Sequence, residues 1–318
     1  MAIRWRPMRP RDVRECVEIV AAHPVLAPRY GRAIQDLKPV WTGLLGREAF
    51  RAIVFEEVRD SSTTLLGCGV SAFVHDEFMQ KLKTPPLVWA DAELTRRIVA
   101  GASPLLSDKE VREANANGGL NLVVWQGVTR LEAFSRPEVN LVGVSAFVEQ
   151  HRGFLLKEVL GQPIIKEQLL ASLNGGALFL NSKACYVDSL DIDPDEALAE
   201  PNFYGITREL ALSRIGTWIG SIFVYEKPCF NFRPSEQRLL LTALHGGTDE
   251  ELAHELGISL SAVKKTWRLI YDRASRHLPG FSSNHDGSNG GTDRGKEKKQ
   301  RLLSYLREHP EELRPASP

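Results

Sequence analysis

Three cations lie close together near the carboxyl end of the chain. Lys264, Lys265 and Arg268 belong to a segment whose apolar residues recur at helical spacing, and they fall on the face opposite those apolar residues. Asp272 is the only acid of this segment, one turn beyond Arg268. Cations at one end of a short helix are suited to the phosphates and guanine edges of duplex DNA. The sequence therefore predicts a nucleic-acid contact on this face.

Two further helices are predicted to hold the basic helix in place. The first begins at Pro234, a residue that suits the first helical position, and ends at Gly246. The second begins with Thr248 and Glu251, which have the spacing of a capping box. Both helices carry apolar residues at helical spacing, so we expect them to pack against the third.

A tight turn is predicted between the second and third helices. Gly257 forms the turn, Ile258 is expected to fill the corner, and Ser259 caps the third helix. The face of the third helix that we expect to be buried consists of Val263, Trp267, Ile270 and Ala274.

Residues 232–273 resemble the LuxR-type (GerE-like) helix-turn-helix, without gaps. The landmarks that match are Pro234, Glu236, Leu240, Gly246, Glu251, Leu252, Ala253, Leu256, Gly257, Ile258, Ser259, Val263, Lys264, Ile270 and Tyr271. The resemblance implies an all-α domain that binds double-stranded DNA as a homodimer, with its third helix in the major groove. The DNA-binding residues predicted on this basis are Lys264, Lys265, Arg268, Ser261, Thr266 and Thr248.

The chain departs from this family at four positions. It has Arg233 and Ala262 where threonine is usual, Ser261 where a basic residue is usual, and Thr266 where histidine is usual. The lost caps and contacts predict weaker binding or an unusual operator. Apart from the resemblance, the same pattern also fits a helical interaction module with a solvated basic face.

The sequence predicts four segments. Residues 1–228 form an α/β domain, 229–280 the helix-turn-helix domain, 281–297 a flexible linker rich in Gly, Ser and Asn, and 298–318 a C-terminal helix and tail. Leu302, Leu303 and Leu306 lie on one side of this last helix. We therefore expect it to dock as the family's fourth helix, displaced by an inserted loop.

The first segment is predicted to contain a mixed sheet. The predicted strands are 3–8, 51–58, 64–74, 121–127, 139–148, 177–180, 185–187 and 222–225, with helices at 11–22, near 107–115 and at 154–160. The hexamer G-V-S-A-F-V occurs at 69–74 and again at 143–148. We interpret both copies as buried strands that lie near each other in the sheet.

A second resemblance concerns the first segment. The opening I-R-W-R-P-M-R-P-R-D-V-R-E-C-V-E-I-V and the hairpin through Gly67 are similar to the first elements of GNAT acetyltransferases. Residues 150–155 resemble the Q/R-x-x-G-x-G/A loop, which implies that Arg152 and Gly153 bind the pyrophosphate of an acyl-CoA at a helix N-terminus. Leu155 departs from that pattern and would crowd the phosphate path. A simple strand-to-helix turn fits these residues equally well.

The composition is that of an ordinary soluble protein, with 43% hydrophobic residues, 25% charged residues and a formal net charge of +0. Any nucleic-acid affinity must therefore come from a local cluster of cations. The four cysteines contain no C-x-x-C pair, which argues against a zinc knuckle and a disulfide framework, and we assign no metal site. The basic N-terminus lacks an apolar signal region and the apolar runs are too short for a membrane span, so a cytoplasmic location is expected.

The sequence thus predicts a bacterial transcription regulator. Its α/β domain would sense a small-molecule effector or mediate oligomerisation, while its C-terminal helices bind DNA. The alternative is an acyl-CoA-dependent N-acetyltransferase with an appended helical domain that targets it. We assign no catalytic residue and no resident cofactor, and we expect no active catalysis.

Overall fold

A computed structural model describes residues 2–60, 62–134, 136–180, 185–188, 193–214, 216–244, 246–278 and 293–315. The chain divides into two compact units, Met1–Val224 and Tyr225–Pro318. The first unit contains a mixed eight-stranded sheet with many helices, so the predicted α/β class is confirmed for it. Among the described residues, no helix combines the length and the apolar character that a membrane crossing requires.

The sheet follows the order β1-β2-β3-β4-β5-β8-β6-β7. Its strands are β1 (Ala2–Pro7), β2 (Phe50–Arg59), β3 (Ser62–Val74), β4 (Leu120–Thr129), β5 (Leu156–Gly161), β6 (Leu178–Leu180), β7 (Tyr186–Val187) and β8 (Phe203–Thr207). The predicted hairpin is confirmed, since β2 and β3 pair antiparallel with Phe50 opposite Ala72. β4 and β5 are parallel neighbours, whereas the other adjacent strands are antiparallel.

Helices connect these strands. Those of the first unit are α1 (Val13–Ala22), α2 (Leu26–Tyr30), α3 (Leu37–Leu44), α4 (Asp76–Lys83), α5 (Ala90–Val99), α6 (Asp108–Ala116), α7 (Leu131–Phe134), α8 (Pro137–His151), α9 (Lys166–Asn174), α10 (Pro194–Ala199), α11 (Arg208–Leu212) and α12 (Trp218–Ser221). Short 3-10 turns lie at Pro10–Asp12 and Gly31–Asp36.

Both faces of the sheet are covered by helices. Successive side chains of a strand point to opposite faces, and β2 shows this alternation. Val54 packs into the main core, which also contains buried residues of α1, α2, α3 and α5. Ile53 and Phe55 instead pack with Val139 and Ala146 of α8 in a smaller cluster. The unit therefore buries apolar side chains on both sides of the sheet.

The segment predicted as a strand at 139–148 is a helix, so that prediction is wrong. α8 begins with Pro137 at its first position and Glu138 in its first turn, and both residues favour a helix start. The helix continues to His151 and contains 15 residues, more than a typical strand. The apolar, β-branched content of 139–148 outweighed these start signals in the prediction.

The segments predicted as a helix at 154–160 and as a strand at 222–225 are also wrong. Residues 156–161 form β5, which lies between β4 and β8 and is almost entirely buried. Residues 222–225 follow α12 as a turn and irregular chain. β5 and β8, which were not predicted, form the middle of the sheet together with β4.

In the second unit the described residues form helices. They are α13 (Pro234–Leu244), α14 (Asp249–Leu256), α15 (Leu260–Ala274) and α16 (Asp293–Glu308), followed by a 3-10 turn at Pro310–Leu313. One apolar cluster joins all of them, and it includes Leu302, Leu303 and Leu306 of α16. The last helix therefore docks on the preceding ones, as expected.

The predicted linker at 281–297 extends too far. Its first part, 281–292, lies outside the described residues. Residues 293–297 are the first turn and a half of α16. This region is rich in Lys, Arg and Glu, which are good helix formers, so the helix begins earlier than the leucine pattern alone indicated.

Candidate nucleic-acid interface

The start of α14 is fixed by a capping box. Thr248 Oγ1 accepts a hydrogen bond from the amide of Glu251 at 3.3 Å, and Glu251 Oε2 accepts one from the amide of Thr248 at 2.7 Å. Two amide groups that would otherwise lack partners at the helix start are thereby satisfied. The predicted cap is confirmed, and it determines where α14 begins.

A left-handed glycine makes the turn between α14 and α15. Gly257 has φ 65° and ψ 33°, and its amide donates to carbonyl groups of the last turn of α14. A side chain is disfavoured in this conformation, so glycine suits the position. Ile258 is 41% exposed, so it does not fill the corner as expected. Ser259 Oγ accepts from the amide of Ala262 at 3.2 Å and so caps α15.

α15 buries the predicted stripe. Val263, Trp267, Ile270 and Ala274 are all buried against the other helices. Tyr271 stacks on the indole of Trp267 with a centroid separation of 5.6 Å, and burial raises the pKa of Tyr271 to about 12. The predicted orientation of this helix is therefore confirmed.

An ion pair fixes the far end of α15 to α13. Arg273 Nε lies 3.1 Å from Glu236 Oε2, and the Glu236 side chain is almost completely buried. The second carboxylate contact of Glu236 is with the amide of Arg233, at 2.7 Å. A buried carboxylate needs such partners. The Arg273 contact joins α13 to the last turn of α15, and the Arg233 contact is local to the start of α13.

The opposite face of α15 presents the three predicted cations. Lys264, Lys265 and Arg268 are exposed. Within the described parts of the chain, no hydrogen bond or ion pair engages their charged groups. From Lys264 to Arg268 the chain advances four residue steps, or about 6 Å along the helix axis. The first nine residues of the helix thus carry three positive charges that no described residue neutralises.

The polar residues predicted to join these cations are placed less favourably. Ser261 is exposed, but its hydroxyl is hydrogen-bonded to that of Ser259 at 2.9 Å. Thr266 is half-buried and donates its hydroxyl proton to the carbonyl of Ala262 at 2.9 Å. Thr248 is exposed and already serves as the cap of α14. These hydroxyls retain acceptor capacity but have first partners within the unit.

Lys299 of α16 is a site residue that the sequence analysis did not identify. Its Nζ donates to Asp249 Oδ1 of α14 at 3.0 Å and lies 5.0 Å from the ring centroid of Trp267 of α15. In the sequence it is one of several lysines in a polar run, and no local signal distinguishes it. α16 thereby braces both helices of the predicted DNA-binding motif.

The predicted coenzyme A loop is not at a helix N-terminus. Arg152 is the C-cap of α8, and Gly153, with φ 86°, turns the chain from α8 into β5. The free groups at a helix C-terminus are carbonyls, which do not favour an anion. The expectation of a helix N-terminus at Arg152 and Gly153 was therefore wrong, and Gly153 has a structural explanation as the residue that ends the helix.

The first unit also contains a small polar cavity. Arg29, Asp91 and Gln126 are among the residues that line it, and its volume is about 10 Å³. This is roughly the room that one water molecule needs. The cavity is too small to hold a metabolite in this conformation.

Comparisons with known proteins complete the description of the site. Neither a family model, nor a curated protein, nor a solved structure matches this chain.

Proposed function

We propose that this chain is a DNA-binding transcription regulator whose second unit is a LuxR-type helix-turn-helix. The observation that carries the proposal is the two-sided character of α15. Trp267 and its apolar neighbours are buried, while Lys264, Lys265 and Arg268 are exposed and unpaired among the described residues. A free surface of this kind is what a helix needs to enter a major groove.

The distribution of charge along α15 supports the same orientation. The first twelve residues of the helix contain no acid, and Asp272 lies in its last turn. In helix-turn-helix proteins the N-terminal part of the recognition helix contacts the bases. The end of α15 that would approach the phosphates is therefore the end without a carboxylate.

We further propose that the first unit mediates oligomerisation and that the protein binds DNA as a homodimer. α8 carries apolar residues around its whole circumference: Val139 and Ala146 are buried, yet Leu141 is 69% exposed and Val144 is also exposed. A helix that is apolar all round is normally buried. Beside it, α8 and β1 line a groove of about 330 Å³. A second copy of this surface would cover these side chains.

The experiment that tests DNA binding compares charge-removal variants. A genomic footprint of the purified protein supplies the duplex, and fluorescence anisotropy at several salt concentrations measures the affinity. Lys264→Ala and Lys265→Ala are each expected to weaken binding and to reduce the slope of log K against log salt by about one unit.

Arg307→Ala is the matched control. Arg307 is exposed in the last turn of α16. Phe230 contacts both Tyr305 of that part of α16 and His277, which follows α15. Arg307→Ala therefore also removes one positive charge, but away from the face of α15 that carries Lys264 and Lys265. We expect it to leave affinity and slope nearly unchanged. If the α15 variants behave like Arg307→Ala, that face of α15 does not contact DNA.

A further inference from the structure

Three side chains that can bind a metal ion converge where the two ends of the second unit meet. Glu226 belongs to the segment that precedes α13, and His309 and Glu311 follow α16. Their ligand atoms all lie within 4.8 Å of one another, and His309 Nδ1 lies 2.9 Å from Glu311 Oε1. No local sequence pattern indicates this group, since Glu226 is far from the other two residues along the chain.

We propose that Glu226, His309 and Glu311 bind a divalent transition-metal ion of the zinc class. An imidazole nitrogen with two carboxylate oxygens is a ligand set that Zn²⁺ accepts. Sites for Mg²⁺ or Ca²⁺ are built from oxygen ligands alone, so the histidine favours a transition metal. Three protein ligands leave the fourth tetrahedral position to water.

The geometry requires only a small adjustment. Zn–N and Zn–O bonds of about 2.0–2.2 Å place two tetrahedral donors about 3.4 Å apart. The His309 and Glu311 atoms are already within that distance. Glu226 is exposed, so its side chain can move the remaining distance of up to about 1.4 Å toward them without disturbing the packing of the unit.

The orientation of His309 is fixed by its neighbours. Its ring stacks on Tyr305 with a centroid separation of 4.1 Å, and Tyr305 in turn lies 5.4 Å from Phe230. A metal-binding histidine whose ring is held in place loses little conformational freedom when the ion binds. Nδ1 therefore already faces the carboxylate of Glu311.

Carboxylates are concentrated around this site. Glu312, next to Glu311, is buried, and its carboxylate accepts hydrogen bonds from the amides of Cys229 and Phe230 at 2.8 Å each. Burial, and then the nearby carboxylates, raise the pKa of the Cys229 thiol. A divalent ion would relieve the repulsion among these groups.

Binding of the ion would connect the two ends of the second unit. Glu312 already joins the turn after α16 to residues 229 and 230 through two hydrogen bonds. An ion held by Glu226, His309 and Glu311 would add a second connection between the same ends of the unit. Binding to the folded state alone adds to its stability.

Calorimetric titration of the chelator-treated full chain with Zn²⁺ tests this proposal. We expect one equivalent per chain and a higher melting temperature in the presence of the ion. Glu226→Gln and His309→Ala should each weaken binding at least tenfold. His254→Ala, which removes an exposed histidine from α14, is the control and should bind Zn²⁺ as the unaltered chain does.

His309→Ala could disturb the packing around Tyr305. Because Glu226 is exposed, Glu226→Gln removes a ligand without that effect, and it therefore tests the site independently. The proposal is overturned if the chain does not bind Zn²⁺ or if both site variants bind it as tightly as the unaltered chain. Equal affinity for Mg²⁺ would also overturn it, because the imidazole would then contribute nothing. None of these outcomes depends on whether the protein binds DNA.

Discussion

Lys299 Nζ lies 5.0 Å from the centre of the Trp267 ring and donates to Asp249 Oδ1 at 3.0 Å. A single ammonium group on α16 thus contacts the two helices that form the helix-turn-helix. Both side chains of the ion pair are less than one-third exposed. Interactions of a cation with an aromatic ring and a partly buried carboxylate are stronger than their exposed counterparts, because water screens them less.

We predict that Lys299→Met destabilises the protein. Methionine keeps the apolar stem of the side chain but removes the charge. The decrease in the free energy of unfolding therefore measures the two electrostatic contacts, about 1–2 kcal/mol together. Thermal unfolding followed by calorimetry measures it. Lys298→Met removes the neighbouring charge, for which the described residues provide no such contacts, and this variant should unfold close to the unaltered chain. Equal melting temperatures for the two variants would show that Lys299 does not brace the unit.

The helices of the second unit could be predicted because their signals are local. Thr248 and Glu251 cap a helix through atoms three residues apart, and Gly257 ends it through its own backbone conformation. Such interactions depend little on the rest of the chain. Lys299 could not be predicted, since its role depends on where α16 docks on two helices that are distant from it along the chain.

The repeated hexamer shows where local sequence is insufficient. G-V-S-A-F-V at 69–74 lies in β3, between β2 and β4, whereas the same six residues at 143–148 lie within α8. β-Branched and small residues are acceptable in either structure, so the flanking residues and the packing decide. Pro137 and Glu138, at the start of α8, were the available signal for a helix.

The wrong assignment of α8 also explains why an anion-binding helix N-terminus was expected at residues 150–155. If a strand had ended here and a helix had begun, the free amide groups of the helix N-terminus would lie near Arg152 and Gly153. The observed helix followed by a strand places carbonyl groups there instead. An error in two secondary-structure elements therefore reversed the electrostatic character expected of the loop.

The exposed apolar face of α8 leads to a prediction about assembly. Leu141 is 69% exposed, so Leu141→Glu should change the stability of the folded monomer by less than about 0.5 kcal/mol. If a second copy covers α8, the same change buries a charge in the interface and should weaken the dimer at least tenfold. Sedimentation equilibrium measures the dissociation constant.

Val99→Glu is the control for this experiment. Val99 is 54% exposed at the end of α5, a helix whose buried residues belong to the main core and not to the cluster beneath α8. We expect this variant to associate like the unaltered chain. A Leu141→Glu protein with the same dissociation constant as Val99→Glu would exclude α8 from the interface.

Asp91 is a buried acid held by two hydrogen bonds. It accepts hydrogen bonds from the amide of Ala92 at 2.6 Å and from Gln126 Nε2 at 3.2 Å. The guanidinium of Arg29 attracts it, but that group lies over the Trp89 ring at 3.8 Å. Burial disfavours the charged form more than these groups favour it, and it raises the pKa of Asp91 to about 6.

This raised pKa predicts a specific dependence of stability on pH. The folded state holds the Asp91 proton more tightly than the unfolded chain, so the contribution of this group is fully present below about pH 4 and is lost as the pH rises through 6. Asp91→Asn cannot ionise, and at pH 7 it should be more stable than the unaltered chain by about 3 kcal/mol. Urea unfolding from pH 4 to 7 gives the difference curve, with Asp36→Asn at a half-buried acid as the control. A difference that stays constant over this range, or one that grows as the pH falls, would show that Asp91 is ionised in the folded protein throughout.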